Sequence, residues 1–359
     1  MKLFVQIPCL NEEETLPMVI AGIPKHIDGI TEIRTVVIDD GSTDRTVDVA
    51  VELGVDYIVK QHRTRGLAKA FSKGLETCLF FGADIIVNTD GDNQYRGSDI
   101  AELVKPIVDR SADIVVGCRD LDSHKEFSFL KKALQKLGSR VVRRLSETTV
   151  SDTTSGFRAF NRKAAISLCL MNTFSYTLET LIQAGRTDLK VVTIPIEVNA
   201  RTRESRLFKS IPQFVLNQLS VIIKAYIFYS PMAFFGWLAA VSMGLAVLSA
   251  IRLGYYLFMV DPSLAKFKAG SGSLLVFSLL TTALLLIAGG LATVLSGLRS
   301  MALDVRTRVR NLELRHGITP LDCDFIESSC IVSAGRPETD RILACGRSSK
   351  RPEEGPENA

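Results

Sequence analysis

The 359-residue chain has little of what builds metal clusters and disulfide frameworks. It contains four histidines that form no constellation, one tryptophan, and seven cysteines with no Cys-x-x-Cys pair among them. Four of the cysteines lie in apolar runs, where a reduced thiol behaves as a small hydrophobic group. A structural zinc site or a disulfide scaffold is therefore not expected, and the pattern suits a reducing compartment.

Neither sign of charge is in large excess, since the chain has 43 Lys and Arg and 39 Asp and Glu, for a net charge of +4. This balance gives no argument for nucleic acid as a partner. Glycine (25) and proline (12) are few, and no heptad or short repeat recurs, which excludes collagen-like, coiled-coil and wholly disordered chains. Apolar residues are abundant instead, at 47%, as expected where a soluble domain and a membrane segment share one chain.

Residues 1 to about 200 alternate short β-branched runs with stretches of helical spacing. Several runs are apolar throughout, as strands buried on both faces must be. The alternation predicts an α/β fold with a mostly parallel sheet and helices on both faces, which binds ligands at the carboxyl ends of its strands. The predicted strands are 4–7, 35–40, 56–60, 83–90, 112–117 and 191–198, and the predicted helices are 13–23, 44–53, 66–81 and 100–110.

Two long uncharged runs, 232–251 and 273–298, follow this region. Each has the roughly 20 apolar residues that a helix needs to cross the hydrocarbon core, which predicts a two-helix transmembrane hairpin. Two helices buried in a large soluble core are the alternative. Basic residues flank the outer ends of both runs, and the positive-inside rule then predicts a multi-pass protein of the inner (plasma) membrane with its soluble domain and both termini in the cytoplasm.

These patterns divide the chain into four predicted parts. They are a soluble domain (1–206), a juxtamembrane amphipathic helix (207–230), the two transmembrane helices (231–299) and a cytoplasmic, partly disordered tail (300–359). A plain soluble helix is the alternative for the second part. Homo-oligomerisation through the spans is possible in such an arrangement.

The sharpest polar motif is Asp90-Gly91-Asp92, at the end of the predicted strand 83–90. Two carboxylates at i and i+2 of an extended chain can point to one side, and Gly91 allows the backbone to approach a ligand closely. Carboxylate and phosphate oxygens are the ligands that Mg²⁺ or Mn²⁺ prefers, and Gln94 can add a neutral oxygen. A solvated acidic turn is the alternative interpretation of such a motif.

Two further polar segments follow predicted strands. Asp39-Asp40 can accept hydrogen bonds from a nucleobase or a ribose, whereas Ser42 or Asp44 can cap the next helix. The segment 8–13, PCLNEE, is expected to form the matching lip of the same crevice.

In this order, IPCLNEEETL (7–16), VVIDDGSTDRT (36–46) and NTDGDNQY (88–95) resemble the nucleotide-sugar-binding half of family 2 glycosyltransferases, which have a GT-A-type fold. Three later segments narrow the resemblance to the polyprenyl-phosphate glycosyltransferases, the group that includes dolichyl-phosphate mannose synthase and bactoprenol glucosyltransferase. They are SDTTSGFRAF (151–160), YTLETLIQAG (176–185) and RTRESRLF (201–208). The resemblance covers roughly residues 3–208.

The resemblance implies a role for each matching residue. Nucleotide-sugar contacts fall on Pro8, Leu10, Glu12, Asp39, Asp40, Asp90, Gly91, Arg201 and Arg203. The metal falls on Asp90, Asp92 and Gln94, and the catalytic roles on Asp92, Arg119 and Asp152. The acceptor phosphate falls on Lys131, Lys132, Arg143, Arg144, Arg158 and Arg206. Residues 201–208 are one residue shorter than the family spacing.

The implied reaction is an inverting transfer of a hexose from a nucleotide-diphosphate sugar, preferably a UDP-sugar, to a polyprenyl phosphate, for cell-envelope or glycan assembly. A processive polysaccharide synthase is an alternative, but it needs a Q-x-x-R-W motif before its spans, and Trp237 lies inside an apolar run. A membrane-tethered nucleotide-sugar-binding protein without turnover is the other alternative.

Overall fold

The computed structural model describes residues 1–119, 143, 150, 152–170, 176–199, 220, 223–224, 226–258, 265–316, 329–332 and 342–344. The chain forms two compact units. The first comprises Met1–Ile211 together with Arg306–Ala359, and the second comprises Pro212–Val305. The predicted four-part division stays a prediction, and most of 207–230 lies outside the described residues.

The first unit is built on one sheet in the order β7-β5-β6-β4-β1-β2-β3-β8-β9. Strands β1 to β4 are mutually parallel, as are β5 and β7, whereas β6 runs antiparallel between β4 and β5. The strands are β1 (Lys2–Cys9), β2 (Glu32–Asp39), β3 (Tyr57–Gln61), β4 (Ile85–Asn88), β5 (Ile114–Arg119), β6 (Arg158–Asn161), β7 (Val191–Ile196), β8 (Ser329–Val332) and β9 (Ile342–Ala344).

Eight helices accompany the strands in the described residues. They are α1 (Leu16–Gly22), α2 (Thr46–Glu52), α3 (Leu67–Phe80), α4 (Ile100–Val108), α5 (Arg162–Ser167), α6 (Tyr176–Arg186), α7 (Pro231–Phe258) and α8 (Ala265–His316), with a 3-10 turn at Gly97–Asp99. The predicted fold class, a mostly parallel sheet covered by helices, is confirmed. The antiparallel β6 and the added strands β8 and β9 were not predicted.

The central strand β1 shows why helices cover both faces. Its side chains alternate between the faces, and all but the first are buried. Leu3, Val5 and Ile7 join the core cluster that also contains residues of α1 and α4. On the other face α3 lies close to the strand, because a Cβ added at Gly74 would lie 2.9 Å from Gln6 Cδ.

The order of the strands places a crevice at the carboxyl end of β1. The chain lays β2 and β3 on one side of β1 and then crosses to place β4 on the other side. Ligands of open α/β sheets bind at such a switch point, outside the carboxyl ends of the strands. Here β1, β2 and β4 end at Cys9, Asp39 and Asn88, each within or just before one of the three polar segments noted in the sequence.

Two helices of the described residues are long and apolar enough to cross a membrane: Pro231–Phe258, which lies in the second unit, and Gly270–His316, which begins in it. Their contact includes a hydrogen bond from Ser242 Oγ to the Ser278 carbonyl (2.9 Å). Trp237 and Leu248, 67% and 65% exposed, contrast with the side chains of a soluble core helix. Such continuous apolar exposure marks a surface that meets lipid or a partner.

Candidate active site

Reciprocal hydrogen bonds tie the loop after β1 to the loop after β2. The backbone N–H of Asn11 donates to Ser42 Oγ (2.9 Å), and the N–H of Thr43 donates to Asn11 Oδ1 (2.8 Å). Asn11 has a φ of 56°, a left-handed conformation that asparagine tolerates better than most residues. These bonds hold the loops after β1 and β2 against each other at the crevice.

The turn after β4 packs closely against the loop after β1. Thr15 Oγ1 lies 2.7 Å from the Gly91 carbonyl oxygen and 2.9 Å from Glu12 Oε2. A Cβ at position 91 would lie 3.0 Å from Cys9 Sγ and 3.3 Å from the Pro8 carbonyl oxygen. The close approach that Gly91 allows is therefore an approach to the end of β1, within the protein itself.

Adjacent carboxylates after β2 have different surroundings. Both oxygens of Asp40 accept backbone hydrogen bonds, from Arg65 (2.9 Å) and Gly66 (2.8 Å) at the start of α3. Burial raises the pKa of Asp40 despite these bonds. Asp39 Oδ1 accepts from the backbone N–H of Ser42 (3.1 Å), whereas Asp39 Oδ2 is buried without a hydrogen-bond partner among the described residues. Asp39 thus has an oxygen to offer a ligand, and Asp40 anchors a loop.

Asp90 is the second carboxylate with an unsatisfied oxygen. Its Oδ1 is buried and has no hydrogen-bond partner within the described part of the chain. Burial, followed by the charge of Asp92, raises the pKa of Asp90 to about 7. A Cβ at Gly156 would lie 3.0 Å from both Asp90 oxygens, so this glycine leaves room for the carboxylate. A half-buried acid with a buried carboxylate oxygen and a raised pKa is typical of a functional site.

The Asp90–Asp92 pair fits a divalent cation that a substrate helps to bind. Asp92 Oδ1 accepts a hydrogen bond from the backbone N–H of Gln94 (3.1 Å), which shapes the turn after β4. In the described ranges no three His, Cys, Asp or Glu side chains are grouped to hold a metal by themselves. Mg²⁺ sites of this kind use one or two carboxylates and are completed by substrate phosphates. The buried, unpartnered Asp90 Oδ1 is the donor that such an ion would satisfy.

Arg119, at the end of β5, is held by a bidentate ion pair. Its Nε and Nη2 donate to the two oxygens of Asp152 (2.7 and 3.2 Å), and Nη2 also lies 3.0 Å from Thr154 Oγ1. Burial alone would raise the pKa of Asp152, but the Arg119 charge lowers it below the ordinary value. Arg119 Nη1 has no hydrogen-bond partner among the described residues and remains able to meet an anion. The geometry favours a positioning role for Asp152, which holds Arg119 in place, and not a role as a general base.

Arg158 is fully buried, and its donors are directed into the protein. Nε donates to the Ser155 carbonyl (2.9 Å), Nη2 to the Thr153 carbonyl (3.0 Å), and Nη1 to the Thr177 carbonyl (2.7 Å) and the Thr180 hydroxyl. Burial lowers the pKa of Arg158. These bonds organise the segment from Thr153 to Arg158, and the contact of Arg158 with an acceptor phosphate stays a prediction.

The comparisons with known proteins identify the family of the chain. The family model for glycosyl transferase family 2 matches residues 4–169. The chain is 30% identical to the UDP-N-acetylglucosamine--dolichyl-phosphate N-acetylglucosaminyltransferase of Methanococcus voltae, over 54% of this chain and 84% of that relative. The chain belongs to glycosyl transferase family 2. The predicted resemblance is confirmed, and the protein is a glycosyltransferase.

Two further similarities extend the comparison. The glycosyltransferase is 27% identical to the polyprenol monophosphomannose synthase of Mycolicibacterium smegmatis, over 55% of this chain and 77% of that one. It also resembles, at 21% identity and a TM-score of 0.50, the crystal structure of glucosyl-3-phosphoglycerate synthase from Mycobacterium tuberculosis with Mn²⁺, UDP-glucose and phosphoglyceric acid. That likeness covers 63% of this chain and 78% of the other, and it shows the shared fold.

The structure brings the central predicted site residues of the glycosyltransferase to one edge of the sheet. At the end of β1 and in the loop that follows it, Pro8 and Glu12 are buried, whereas Leu10 is exposed. Arg143 occupies a helical, exposed position. The remaining basic residues of the prediction lie outside the described residues, namely Lys131, Lys132, Arg144, Arg201, Arg203 and Arg206.

Several residues that shape the site were missed in the sequence. Gln6 and Asn88 are opposite each other on β1 and β4, and Gln6 Nε2 donates to Asn88 Oδ1 (2.8 Å). Asn88 Nδ2 in turn donates to the Gly156 carbonyl (2.8 Å), which brings Gly156 beside Asp90. Polar residues in the middle of apolar strands were the available signal, because a buried amide needs a partner.

Proposed function

We propose that this glycosyltransferase moves a hexose from a UDP-sugar to a polyprenyl phosphate at the cytoplasmic face of the membrane, with inversion at the anomeric carbon. The observation that carries the proposal is the pair of buried oxygens, Asp39 Oδ2 and Asp90 Oδ1, without partners among the described residues. They follow the strands on either side of β1, at the edge where α/β sheets bind ligands. A nucleoside diphosphate with a divalent cation would satisfy both.

The donor half of the proposal follows from the surroundings of each carboxylate. Asp39 Oδ2 would accept a hydrogen bond from the base or the ribose, since Asp40 is occupied by the loop before α3. Asp90, Asp92 and Gln94 would hold Mg²⁺ or Mn²⁺. The cation, when bound, supplies positive charge that stabilises the departing diphosphate. A relative named for its UDP-N-acetylglucosamine donor supports the choice of a UDP-sugar.

The acceptor half rests on Arg119 and on the relatives. Arg119 Nη1 would donate to a phosphate oxygen, and Asp152 and Thr154 would hold the guanidinium in place. A phosphate monoester has a second pKa near ~6 and is largely ionised at neutral pH. The nucleophile therefore needs no strong base, which agrees with a carboxylate that is committed to an arginine. The relatives named for dolichyl, polyprenol and undecaprenyl phosphates support a polyprenyl acceptor.

The membrane half rests on the two long apolar helices, Pro231–Phe258 and Gly270–His316. The acceptor's phosphate lies at the membrane surface while its tail stays in the hydrocarbon, so an enzyme anchored by a hairpin meets it there. The basic residues at 131, 132, 143, 144, 201, 203 and 206 remain proposed phosphate contacts. A polybasic segment next to a membrane gains about 1 kcal/mol per Lys or Arg at an anionic surface.

Transfer to lipid tests the proposal directly. The purified full chain in vesicles that contain undecaprenyl phosphate would receive radiolabelled UDP-glucose, UDP-N-acetylglucosamine or GDP-mannose, each with Mn²⁺. We expect label from a UDP-sugar in the organic extract, and none from the matched Asp92→Asn variant. Binding of the nucleotide sugar without transfer of any label would favour the non-catalytic alternative, and label from GDP-mannose alone would overturn the choice of UDP.

A further inference from the structure

The end of β7 is fastened to the turn that carries the predicted metal ligands. The backbone N–H of Asn199 donates to the Gln94 carbonyl (2.9 Å), and Tyr95 and Val198 form an antiparallel bridge. The side chain of Asn199 continues this pairing. Its Nδ2 lies 3.0 Å from the Asn93 carbonyl oxygen and 3.4 Å from the Tyr95 carbonyl oxygen. One residue therefore contacts three consecutive carbonyls.

The turn that Asn199 contacts has little regular structure of its own. It lies between the end of β4 and the 3-10 turn at Gly97–Asp99. Asn93 has a φ of 56°, in the left-handed region that costs free energy for residues other than glycine. A hydrogen bond from the Gln94 N–H to Asp92 Oδ1 stabilises the turn from inside. Asn199, which lies beyond the end of β7, adds side-chain hydrogen bonds to the Asn93 and Tyr95 carbonyls of this turn.

We propose that Asn199 is a positioning residue for the metal site: its side-chain amide fixes the turn that sets the geometry of Asp92 and Gln94. The inference rests on the function proposed above, since it assigns Asn199 a part in binding the donor with its cation. A cation site works only when its ligands are held within a fraction of an ångström, and residues around the ligands supply that restraint. Asn199 has no role in the resemblance to the family, and 106 residues separate it from Asn93.

The test separates metal-dependent from metal-independent binding. Asn199→Ala removes the side-chain donors but keeps the backbone bond to Gln94. We expect the affinity for UDP with Mn²⁺, measured by calorimetry on the full chain, to fall about tenfold, as the loss of one or two hydrogen bonds implies. The affinity for UDP in EDTA should stay within twofold of the wild type. Raising Mn²⁺ should restore transfer and leave the KM for the lipid acceptor unchanged.

Asn161→Ala is the matched control. Asn161 also joins two segments with its amide, donating to Asp113 Oδ1 (2.7 Å) and accepting from the Ala164 N–H, but at the opposite edge of the sheet. It should lower the melting temperature without changing either affinity for UDP. Equal loss of UDP affinity with and without Mn²⁺ in Asn199→Ala, or no loss at all, would overturn the inference. So would a wild type that binds neither UDP nor GDP in a metal-dependent way.

The proposed function fails by a different result. If the wild type binds UDP with Mn²⁺ but transfers no sugar to undecaprenyl phosphate, the lipid-transfer proposal is wrong. The calorimetric comparison of Asn199→Ala with Asn161→Ala still decides the positioning role in that case, because it needs no turnover.

Discussion

Aspartates at the two ends of the central sheet have opposite surroundings. At the amino end of β5, Asp113 has both oxygens bonded, Oδ1 to Asn161 Nδ2 (2.7 Å) and Oδ2 to the Lys190 N–H (2.9 Å). At the carboxyl end of β4, Asp90 keeps a buried Oδ1 that no described residue contacts by a hydrogen bond. Other residues of the protein bond both oxygens of Asp113, whereas the proposed function assigns Oδ1 of Asp90 to a ligand.

The pKa values differ in the same sense. Burial would raise the pKa of Asp113, but the bonds from the Lys190 N–H and from Asn161 lower it below the ordinary value. Burial and Asp92 raise the pKa of Asp90 to about 7. Folded proteins satisfy nearly all buried polar groups. Asp90 Oδ1 is one of the exceptions among the described residues, and the function proposed above accounts for it by binding rather than by folding.

The largest expected effect comes from Asp90→Asn. The change removes one anionic ligand of the cation, so we expect transfer to fall roughly a thousandfold, as the loss of several kcal/mol of electrostatic stabilisation implies. Stability should not fall, because an amide has no charge to desolvate. Denaturant unfolding and transfer to lipid, measured on the same preparation, check both halves. A variant that is much less stable than the wild type would show that Asp90 serves folding.

A second test uses two neighbours, Asp39 and Asp40. Asp39→Asn should weaken the binding of UDP about tenfold and leave stability unchanged, because Asp39 Oδ2 serves no described residue. Asp40→Asn should lower stability by about 1 kcal/mol, since one of two oxygens that accept backbone hydrogen bonds becomes an amide nitrogen. Calorimetry with UDP and a denaturation curve distinguish the two variants. The reverse pattern would mean that Asp40 faces the nucleotide.

The sequence predicted which segments form the site, and the structure distinguishes the individual residues within each segment. The positions of the parallel strands along the chain and the motifs at the ends of β1, β2 and β4 followed from local pattern, because each motif directly continues its strand. Which of Asp39 and Asp40 is available did not follow, since the answer depends on backbone groups at Arg65 and Gly66, some 25 residues away. The role of Asn199 could not be read for the same reason.

The fold shows the same limit. The parallel strands were predicted because they are apolar runs between turns, as at residues 35–40. Strand β6 has only four residues and begins with the buried Arg158, so its composition does not resemble a core strand. Strand β8 pairs with the edge of β3 across more than 250 residues of chain, a contact that no local pattern reports. Long-range pairing and single hydrogen bonds are tertiary facts.

The third prediction concerns Asp113→Asn, at the satisfied end of the sheet. One of its two oxygens becomes a donor that faces either the Asn161 amide or the Lys190 N–H, so we expect a loss of about 1 kcal/mol in the free energy of unfolding. Transfer to lipid should stay within twofold of the wild type. A large loss of transfer in a folded variant would contradict the division between the two ends.

The smallest expected effect is the pH dependence of the difference in stability between the wild type and Asp113→Asn. The pKa of Asp113 is lower in the folded protein than its ordinary value, so the ionised carboxylate stabilises the fold above the unfolded pKa of about 3.9. This contribution is lost as the pH falls through the folded pKa. The gap in stability between wild type and Asp113→Asn should therefore be constant from pH 7 to about 5 and narrow below about 4. Denaturant midpoints of both proteins across this range measure the gap. A gap that stays the same at pH 3.5 would mean that the Asp113 charge contributes nothing, and that the geometry of its hydrogen bonds alone distinguishes this end of the sheet from the other.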